Sequence, residues 1–171
     1  NPQVKNMVAM PSPLYSGAAL IHLATVTADP QLGWTYYENL KNNGVSQQGG
    51  NGGVLTDITT GNKAYGVLVD YMALREKAKG APIDFVFPKE GVSVVTEPVA
   101  ILKGAQNPDA AKTFVNFILS DQGQQLILEQ GYIPANNKFP MPDGFPELSE
   151  IKAIKMDAAK ALQDSQQNIE K

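Results

Sequence analysis

The stretch "GNKAYGVLVDYMALREKAKG", residues 61–80, decides the fold class of this chain. It opens with a Gly-Asn turn, and the apolar run over residues 64–69 has the length of a strand buried on both faces. The run ends at Asp70, and residues 71–80 have the pattern of a helix. A buried strand that leads directly into a helix is typical of a parallel sheet covered by helices.

Further elements are predicted upstream of this stretch. The Ser16-Gly17 pair starts a helix over residues 16–28, which Asp29-Pro30 ends. A second helix is predicted over residues 31–44, and a third begins at Gly52-Gly53 with Asn51 at its cap. The segment over residues 45–50 is interpreted as a loop because it is rich in polar residues and glycine.

Downstream, strands and then helices follow. The sequence predicts a strand over residues 81–88 and an extended segment over residues 91–104, which Pro98 bends or places at a sheet edge. Helices follow from Asn107 and from Ser120, and a final helix is predicted from residue 147 to about residue 169. Because helices and strands alternate, we predict an α/β fold with a mostly parallel sheet flanked by helices.

Composition excludes several classes of protein. The chain has 171 residues, 43% hydrophobic and 18% charged, which is enough for a real core. Its 14 Lys and Arg are scattered and its net charge is −3, so no nucleic-acid partner is predicted. No apolar run approaches the roughly 18 residues of a membrane span, and the first residues lack the pattern of a signal peptide.

The scarcity of cysteine and histidine limits the available chemistry. The chain has no cysteine, which excludes disulfides, thiolate metal sites and cysteine nucleophiles. The only histidine, His22, follows Ser16 by six residues inside an apolar helical pattern, and we interpret it as a packed helix residue. Of the adjacent Tyr36 and Tyr37, one is expected to pack and the other to lie on the surface.

Three features of the sequence converge on one edge of the predicted sheet. They are the helix start at Ser16-Gly17, the helix start at Asn51 and the strand end at Asp70-Tyr71. In open α/β sheets, ligands bind beyond the carboxyl ends of the strands. The helix starts supply N–H donors for an anion, while Asp70 accepts from an ammonium or a hydroxyl group. An ordinary capped helix without a ligand remains the alternative at each start.

A catalytic interpretation of these residues needs a base. His22 lies more than one and a half helical turns from Ser16 and on a different face. Asp70 and Glu97 are the pair of carboxylates available for acid–base chemistry, although no motif supports that pairing. Binding without chemistry is the more economical interpretation, and a hydrolase-like enzyme using Ser16 is the remote alternative.

Three separated segments resemble one protein family. They are "MPSPLYSGAAL" (residues 10–20), "NGGVLTDITTGNKAYGVLVDYMALREKAKGAPIDFVFPKEG" (51–91) and "EPVAILKGAQNPDAAKTFVNFILSDQGQQLILEQGYIPAN" (97–136). In order and spacing they resemble the second half of a type II periplasmic solute-binding protein of an ABC importer. The group is the one whose members bind ferric ion, 2-aminoethylphosphonate and sugar phosphates. The resemblance covers about residues 4–140.

The resemblance implies a two-lobed clamp in the periplasm that closes on a solute and delivers it to a membrane permease, with no cofactor and no enzymatic activity. It implies that residues 1–97 form the second lobe and that residues 98–140 cross the hinge and resemble part of the first lobe. Residues 141–171 are then a proline-rich loop and a helix that packs back on the second lobe.

The resemblance also implies that the chain is a C-terminal fragment, without a signal peptide and without most of the first lobe. The helices between residues 110 and 128 would then lack their usual partners. We therefore predict that the fragment self-associates through their apolar faces.

The resemblance assigns site residues as well. Ser16, Gly17 and Ala18 match the helix start that holds an anion in the family, and Asn51 matches the polar residue at the second helix start. The remaining candidates of the predicted site are Ser12, in the segment before the first helix, and Glu97, near the hinge.

The expected ligand follows from Asp70 and Tyr71. Tyr71 matches the first of the paired tyrosines of ferric-ion binders, but Met72 stands in place of the second, and a thioether is a poor ligand for Fe(III). Asp70 beside an anion site suits an organic phosphonate or phosphate that also carries an ammonium or hydroxyl group. A ferric or other metal ion, with Tyr71 as a ligand, is the alternative within the same fold.

Overall fold

The computed structural model describes residues 2–170 and divides into two compact units. The first unit holds the residues up to Val95 together with those from Ile151 onward, and the second is Thr96–Glu150. Residues 1 and 171, which the expected lobe boundaries include, lie outside the described residues. Within the described residues, no helix is both long enough and apolar enough to cross a membrane.

The sheet of the first unit has three parallel strands. They are β1 (Val8–Pro11), β2 (Ser46–Gln48) and β3 (Tyr65–Gly66), in the order β2-β1-β3. In this register Ala9 of β1 lies between Ser46 of β2 and Gly66 of β3. Ala9 and Met10, whose side chains point to opposite faces, are buried, with 0% and 3% of their surface exposed, so the central strand is covered on both faces.

Helices connect and cover these strands, and together with the parallel sheet they confirm the predicted α/β class. Along the described part of the chain the helices are α1 (Gly17–Ala28), α2 (Gly33–Asn42), α3 (Asn51–Thr59), α4 (Asp70–Ala78), α5 (Pro108–Leu119), α6 (Asp121–Glu129) and α7 (Ala158–Glu170). In the first unit, α1 packs against α2 and α7, and α3 packs against all three strands. The fully buried Val54 of α3 lies in this core.

Several predicted strands are wrong in extent or absent. The predicted strand over residues 64–69 pairs as β3 only at Tyr65–Gly66, after which the Val67 N–H still donates to the Ala9 carbonyl at 2.9 Å. Residues 81–88 form no strand, and residues 91–104 contribute only an isolated bridge between Val92 and Ala153. Apolar runs become strands only where a partner backbone lies alongside.

Two further differences concern unpredicted strands and a helix that starts late. β1 and β2 were not predicted, because "VAMP" and "SQQ" are short and lack a strand pattern. The final helix begins at Ala158 instead of residue 147, since the preceding residues form a 3₁₀ turn at Leu148–Glu150 and the bridge to Val92.

His22 lies in an aromatic cluster between α1 and α2, as its helical pattern predicts. Its ring meets the edges of Tyr36 and Tyr37 at centroid distances of 6.1 and 6.3 Å, and its Nδ1 lies 3.1 Å from Ser93 Oγ. Both tyrosines are half-buried, so the expectation that one lies on the surface is wrong. Burial lowers the pKa of His22. Burial also raises the pKa of Tyr37, and the electrostatic interaction with Tyr36 raises it further.

Burial of His22 predicts a loss of stability in acid. Since the folded pKa lies below the ordinary 6.5, the unfolded chain binds the proton first as the pH falls. Folding stability should drop below about pH 6.5, by up to about 1.4 kcal/mol per pH unit, until the folded His22 also titrates. Urea unfolding at pH 7.5 and at pH 5.5 measures this effect. The free energy of unfolding should fall more between these two pH values in the wild type than in His22→Gln. Equal drops in both proteins would contradict this prediction.

The second unit is built around the junction of α5 and α6. Ser120 ends α5 and caps α6: its Oγ donates to the Phe117 carbonyl at 2.7 Å and accepts from Gly123 N–H at 3.2 Å. Gln124, 1% exposed, donates to the Ile118 carbonyl and accepts from Asn136 N–H. Exposed apolar side chains of these helices are Phe114, Phe117, Leu119 and Leu126. The predicted self-association depends on such faces and stays a prediction.

Candidate functional site

The carboxyl ends of the three strands lead to the starts of three helices. β1 leads through Ser12 to α1, β2 leads to α3, and β3 leads to α4. Because the strands are parallel, all three helix starts lie at the same edge of the sheet. The structure thus brings Ser16, Asn51 and Asp70 to one edge of the first unit.

The start of α1 presents backbone donors. Ser16 is the N-cap, and its Oγ accepts from Ala19 N–H at 3.2 Å. Within the described residues, the N–H groups of Gly17 and Ala18 have no hydrogen-bond partner. Space is also open there, since a Cβ at Gly17 would meet nothing within 4 Å. An anion can therefore approach these donors at the positive end of the helix dipole.

Ser12 fixes the position of the turn that precedes α1. Its N–H donates to the Gln48 carbonyl at 2.7 Å, which ties the end of β1 to the end of β2. Its carbonyl accepts from the N–H groups of Tyr15 and Ser16 at 3.1 and 3.0 Å. With 6% of its surface exposed, Ser12 is buried, and its backbone contacts place the turn that leads into α1.

Asn51 joins the three helix starts. It is the first residue of α3, so the expectation that it caps this helix is wrong; Gly50 occupies the cap. The Asn51 side chain instead reaches outward: Nδ2 lies 3.4 Å from Ser16 Oγ, and Oδ1 accepts from Val69 N–H at 3.3 Å. One amide group therefore connects the cap of α1 with the residue that precedes α4.

Asp70 begins α4 as a half-buried carboxylate. Burial raises the pKa of Asp70, while hydrogen bonds from the N–H of Tyr71, at 2.8 Å, and from its own N–H partly oppose this rise. A carboxylate that has lost part of its hydration is stabilised by a cation or by an O–H or N–H donor. Asp70 can therefore accept from an ammonium or hydroxyl group of a ligand.

The other predicted site residues are placed differently. The guanidinium of Arg75 lies 4.9 Å from the ring centre of Tyr71, so a cation already occupies a face of this phenol. Glu97 belongs to the second unit, where its side chain is exposed. In the described part of the chain, no group of three or more His, Cys, Asp and Glu side chains could hold a metal ion.

The residues of the hydrolase alternative are separated. His22 Nδ1 pairs with Ser93 Oγ, whereas Ser16 Oγ pairs with Ala19 N–H and the Asn51 amide. Among residues 2–170, no base accepts a proton from the Ser16 hydroxyl. General-base activation of Ser16 needs such a contact.

Sequence reasoning missed Gln48, which fixes the position of α3. Its Nε2 donates to Asp57 Oδ2 at 2.6 Å and so links the end of β2 to the body of α3. A Cβ at Gly53 would lie 3.1 Å from Gln48 Cβ, so the start of α3 passes close to this side chain. No sequence signal could have identified Gln48, because β2 itself has no strand pattern.

Comparison with known proteins identifies a family that matches most of the chain. The model of the family described as bacterial extracellular solute-binding protein matches residues 1–162. Among solved structures, the periplasmic binding protein AfuA from Actinobacillus pleuropneumoniae, with exogenous fructose-6-phosphate bound, is similar with a TM-score of 0.88 and 26% identity. The similarity covers 99% of this chain and 56% of AfuA. The periplasmic binding protein P5PA, at 24% identity and a TM-score of 0.80, shares the fold over 99% of this chain and 56% of its own.

Curated relatives match shorter segments. An uncharacterised protein of Haemophilus influenzae is 48% identical over 66 residues, which is 39% of this chain and 18% of that protein. A putrescine/cadaverine-binding protein of Pseudomonas aeruginosa is 28% identical over 110 residues, which is 61% of this chain and 31% of that protein. The matches thus span about half the length of the solved structures and less than a third of these relatives.

Proposed function

The chain belongs to the family of bacterial extracellular solute-binding proteins, and on that premise we propose that it binds a small organic phosphate or phosphonate. The observation that carries this proposal is the pair of unpartnered N–H groups, of Gly17 and Ala18, beside open space at the start of α1. Backbone donors at a helix start favour an anion through direct hydrogen bonds and through the helix dipole. The fructose-6-phosphate carried by the similar AfuA structure supports an anionic group of this kind.

Asp70 indicates a second chemical group that the solute should carry. Its desolvated carboxylate, at the start of the neighbouring α4, favours a ligand that also carries an ammonium or hydroxyl group. Sugar phosphates and aminophosphonates have both features. The putrescine/cadaverine-binding relative suggests the amine as the simplest partner for this carboxylate, so a diamine is the second candidate solute.

The proposed role is solute capture for uptake. We place the protein in the periplasm, where it would pass its solute to an ABC permease, and we assign it no catalytic step. The lobe boundaries expected above, at residues 97 and 140, and the candidate role of Glu97 are part of this proposal. A ferric carrier that uses Tyr71 is the alternative that the same experiment tests.

The experiment is a thermal-shift and calorimetric panel on the protein that carries this sequence, at its full natural length. The solutes are fructose-6-phosphate, 2-aminoethylphosphonate, inorganic phosphate, putrescine and iron(III) citrate. A solute that binds only the native state stabilises it by about 2.7 kcal/mol at a hundredfold excess over Kd. A shift with an organic phosphate or phosphonate supports the proposal. A shift with iron alone, abolished by Tyr71→Phe, would replace it with a metal carrier.

Asp70→Asn is predicted to weaken binding of the organic phosphate or phosphonate by about tenfold or more, because a charged hydrogen-bond acceptor is replaced by a neutral one. The melting temperature without ligand should stay equal or rise, since the substitution removes a poorly hydrated charge. Asp143→Asn, at an exposed position of the second unit, is the matched control and should leave Kd unchanged. Equal affinities of Asp70→Asn and wild type would remove Asp70 from the site.

A further inference from the structure

We propose that Asn51 is a positioning residue that directs the hydroxyl proton of Ser16 toward the bound anion. This inference rests on the proposed function and adds to it the reason why the start of α1 favours deprotonated oxygens of the anion. Three contacts carry it: Asn51 to Val69, Asn51 to Ser16, and Ala19 to Ser16.

The first step fixes which way the Asn51 amide faces. Val69 N–H lies 3.3 Å from one end of this amide. A backbone N–H can only donate, so the amide atom that faces it is the oxygen. The amide nitrogen is then the atom that faces Ser16 Oγ at 3.4 Å, and it donates to that oxygen.

The second step concerns the hydroxyl of Ser16. Its oxygen accepts from Ala19 N–H at 3.2 Å as well as from Asn51 Nδ2. A hydroxyl has two lone pairs and one proton, so both acceptor positions of Ser16 are occupied. Its proton has no acceptor among the described residues, although Ser16 is only 8% exposed. A buried donor without a partner is unfavourable, and an oxygen atom of the ligand removes that penalty.

The third step gives the selectivity of the site. Ser16 O–H, Gly17 N–H and Ala18 N–H form a set of donors at the start of α1, and none of them can accept a proton from the ligand. A protonated phosphate presents a donor of its own, for which this set has no acceptor. The start of α1 therefore favours deprotonated oxygens of the anion, and Asn51 maintains this preference without touching the ligand.

Asn51→Asp tests the role of the amide with little change in shape. One oxygen of the introduced carboxylate still accepts from Val69 N–H, while the other accepts the Ser16 proton and turns the hydroxyl away from the ligand. We expect the Kd of fructose-6-phosphate to rise at least thirtyfold at pH 8. The ratio of variant to wild-type Kd should fall as the pH drops and the carboxyl group protonates, since a protonated carboxyl donates to Ser16 as the amide does. Using the ratio cancels the titration of the ligand.

Two controls distinguish the effect of Asn51 on the direction of the Ser16 proton from the effect of the added negative charge. Asn62→Asp adds the same charge at an exposed turn before β3, at the opposite edge of the sheet, and should leave Kd unchanged. In the Ser16→Ala background no hydroxyl remains to be turned. The factor by which Asn51→Asp raises Kd should therefore be at least five times smaller there than in the wild type. Should Asn51→Asp not fold, Asn51→Ala is expected to raise Kd three- to tenfold at every pH, and less in the Ser16→Ala background.

The possible outcomes are distinguishable. If Asn51→Asp raises Kd by the same factor in the presence and in the absence of the Ser16 hydroxyl, the inference is overturned and the proposed function still stands. A pH-independent Kd ratio for Asn51→Asp would do the same. If the wild type binds none of the phosphate and phosphonate probes, the proposed function fails and this inference fails with it.

Discussion

Replacing Gly123 by Ala is expected to destabilise the second unit by about 3 kcal/mol, the upper part of the usual range for overpacking. The new Cβ would collide with the Phe117 carbonyl oxygen and would lie 2.6 Å from the Ile118 carbonyl oxygen. Both obstacles are backbone atoms, so they cannot move aside by a change of rotamer. The Phe117 carbonyl also accepts from the N–H and the hydroxyl of Ser120, the residue that joins α5 to α6. Relief of the clash therefore has to open this junction.

Urea unfolding of Gly123→Ala measures this effect, and Gly104→Ala is its control. Gly104 belongs to the same unit, is exposed, and has open space where a Cβ would be added. Its substitution should change the free energy of unfolding by less than about 0.5 kcal/mol. A Gly123→Ala protein as stable as Gly104→Ala would mean that α5 and α6 do not pack this closely in solution.

Gly66→Ala is expected to cost about 1–3 kcal/mol in the first unit and to weaken solute binding as well. A Cβ on β3 would press on Ile58 Cδ1 and lie 2.8 Å from Val54 Cγ1, both on α3. Val54 is fully buried and cannot turn outward. α3 must then move off the sheet, and it carries Asn51, so the contacts to Ser16 and Val69 should loosen too.

A second substitution distinguishes this packing effect from a general loss of stability. Ile58→Ala removes the closest side chain, so the double variant Gly66→Ala/Ile58→Ala should be at least about 1 kcal/mol more stable than the sum of the two single effects predicts. Solute affinity should recover in parallel. Additive free energies would show that Gly66 and Ile58 do not meet.

The helices could largely be predicted from the sequence, because their signals are local. Ser16 and the Asp29-Pro30 pair predict the bounds of α1, and the structure has Ser16 as its cap and Asp29 after its last residue. The junction at Ser120 was likewise predicted and is confirmed. A helix closes its hydrogen bonds within four residues, so caps and prolines suffice to locate its ends.

The candidate site was predictable only in part. Helix starts and a polar strand end gave Ser16, Asn51 and Asp70 as candidates, and the structure brings them to one edge of the sheet. The task of Asn51 was not predictable: its partners Ser16 and Val69 lie 35 and 18 residues away, and no local pattern relates them. Gln48 was missed for the same reason.

The sequence by itself thus determined the α/β class, most helix ends and the polar residues available to a solute. Only the tertiary structure decided which extended segments pair, since "VAMP" and "SQQ" become strands while the more apolar residues 81–88 do not. The physical reason is the separation along the sequence between hydrogen-bond donors and their acceptors. A helix finds its partners one turn away, whereas a strand and a side-chain bridge such as that of Asn51 depend on segments that only folding brings alongside.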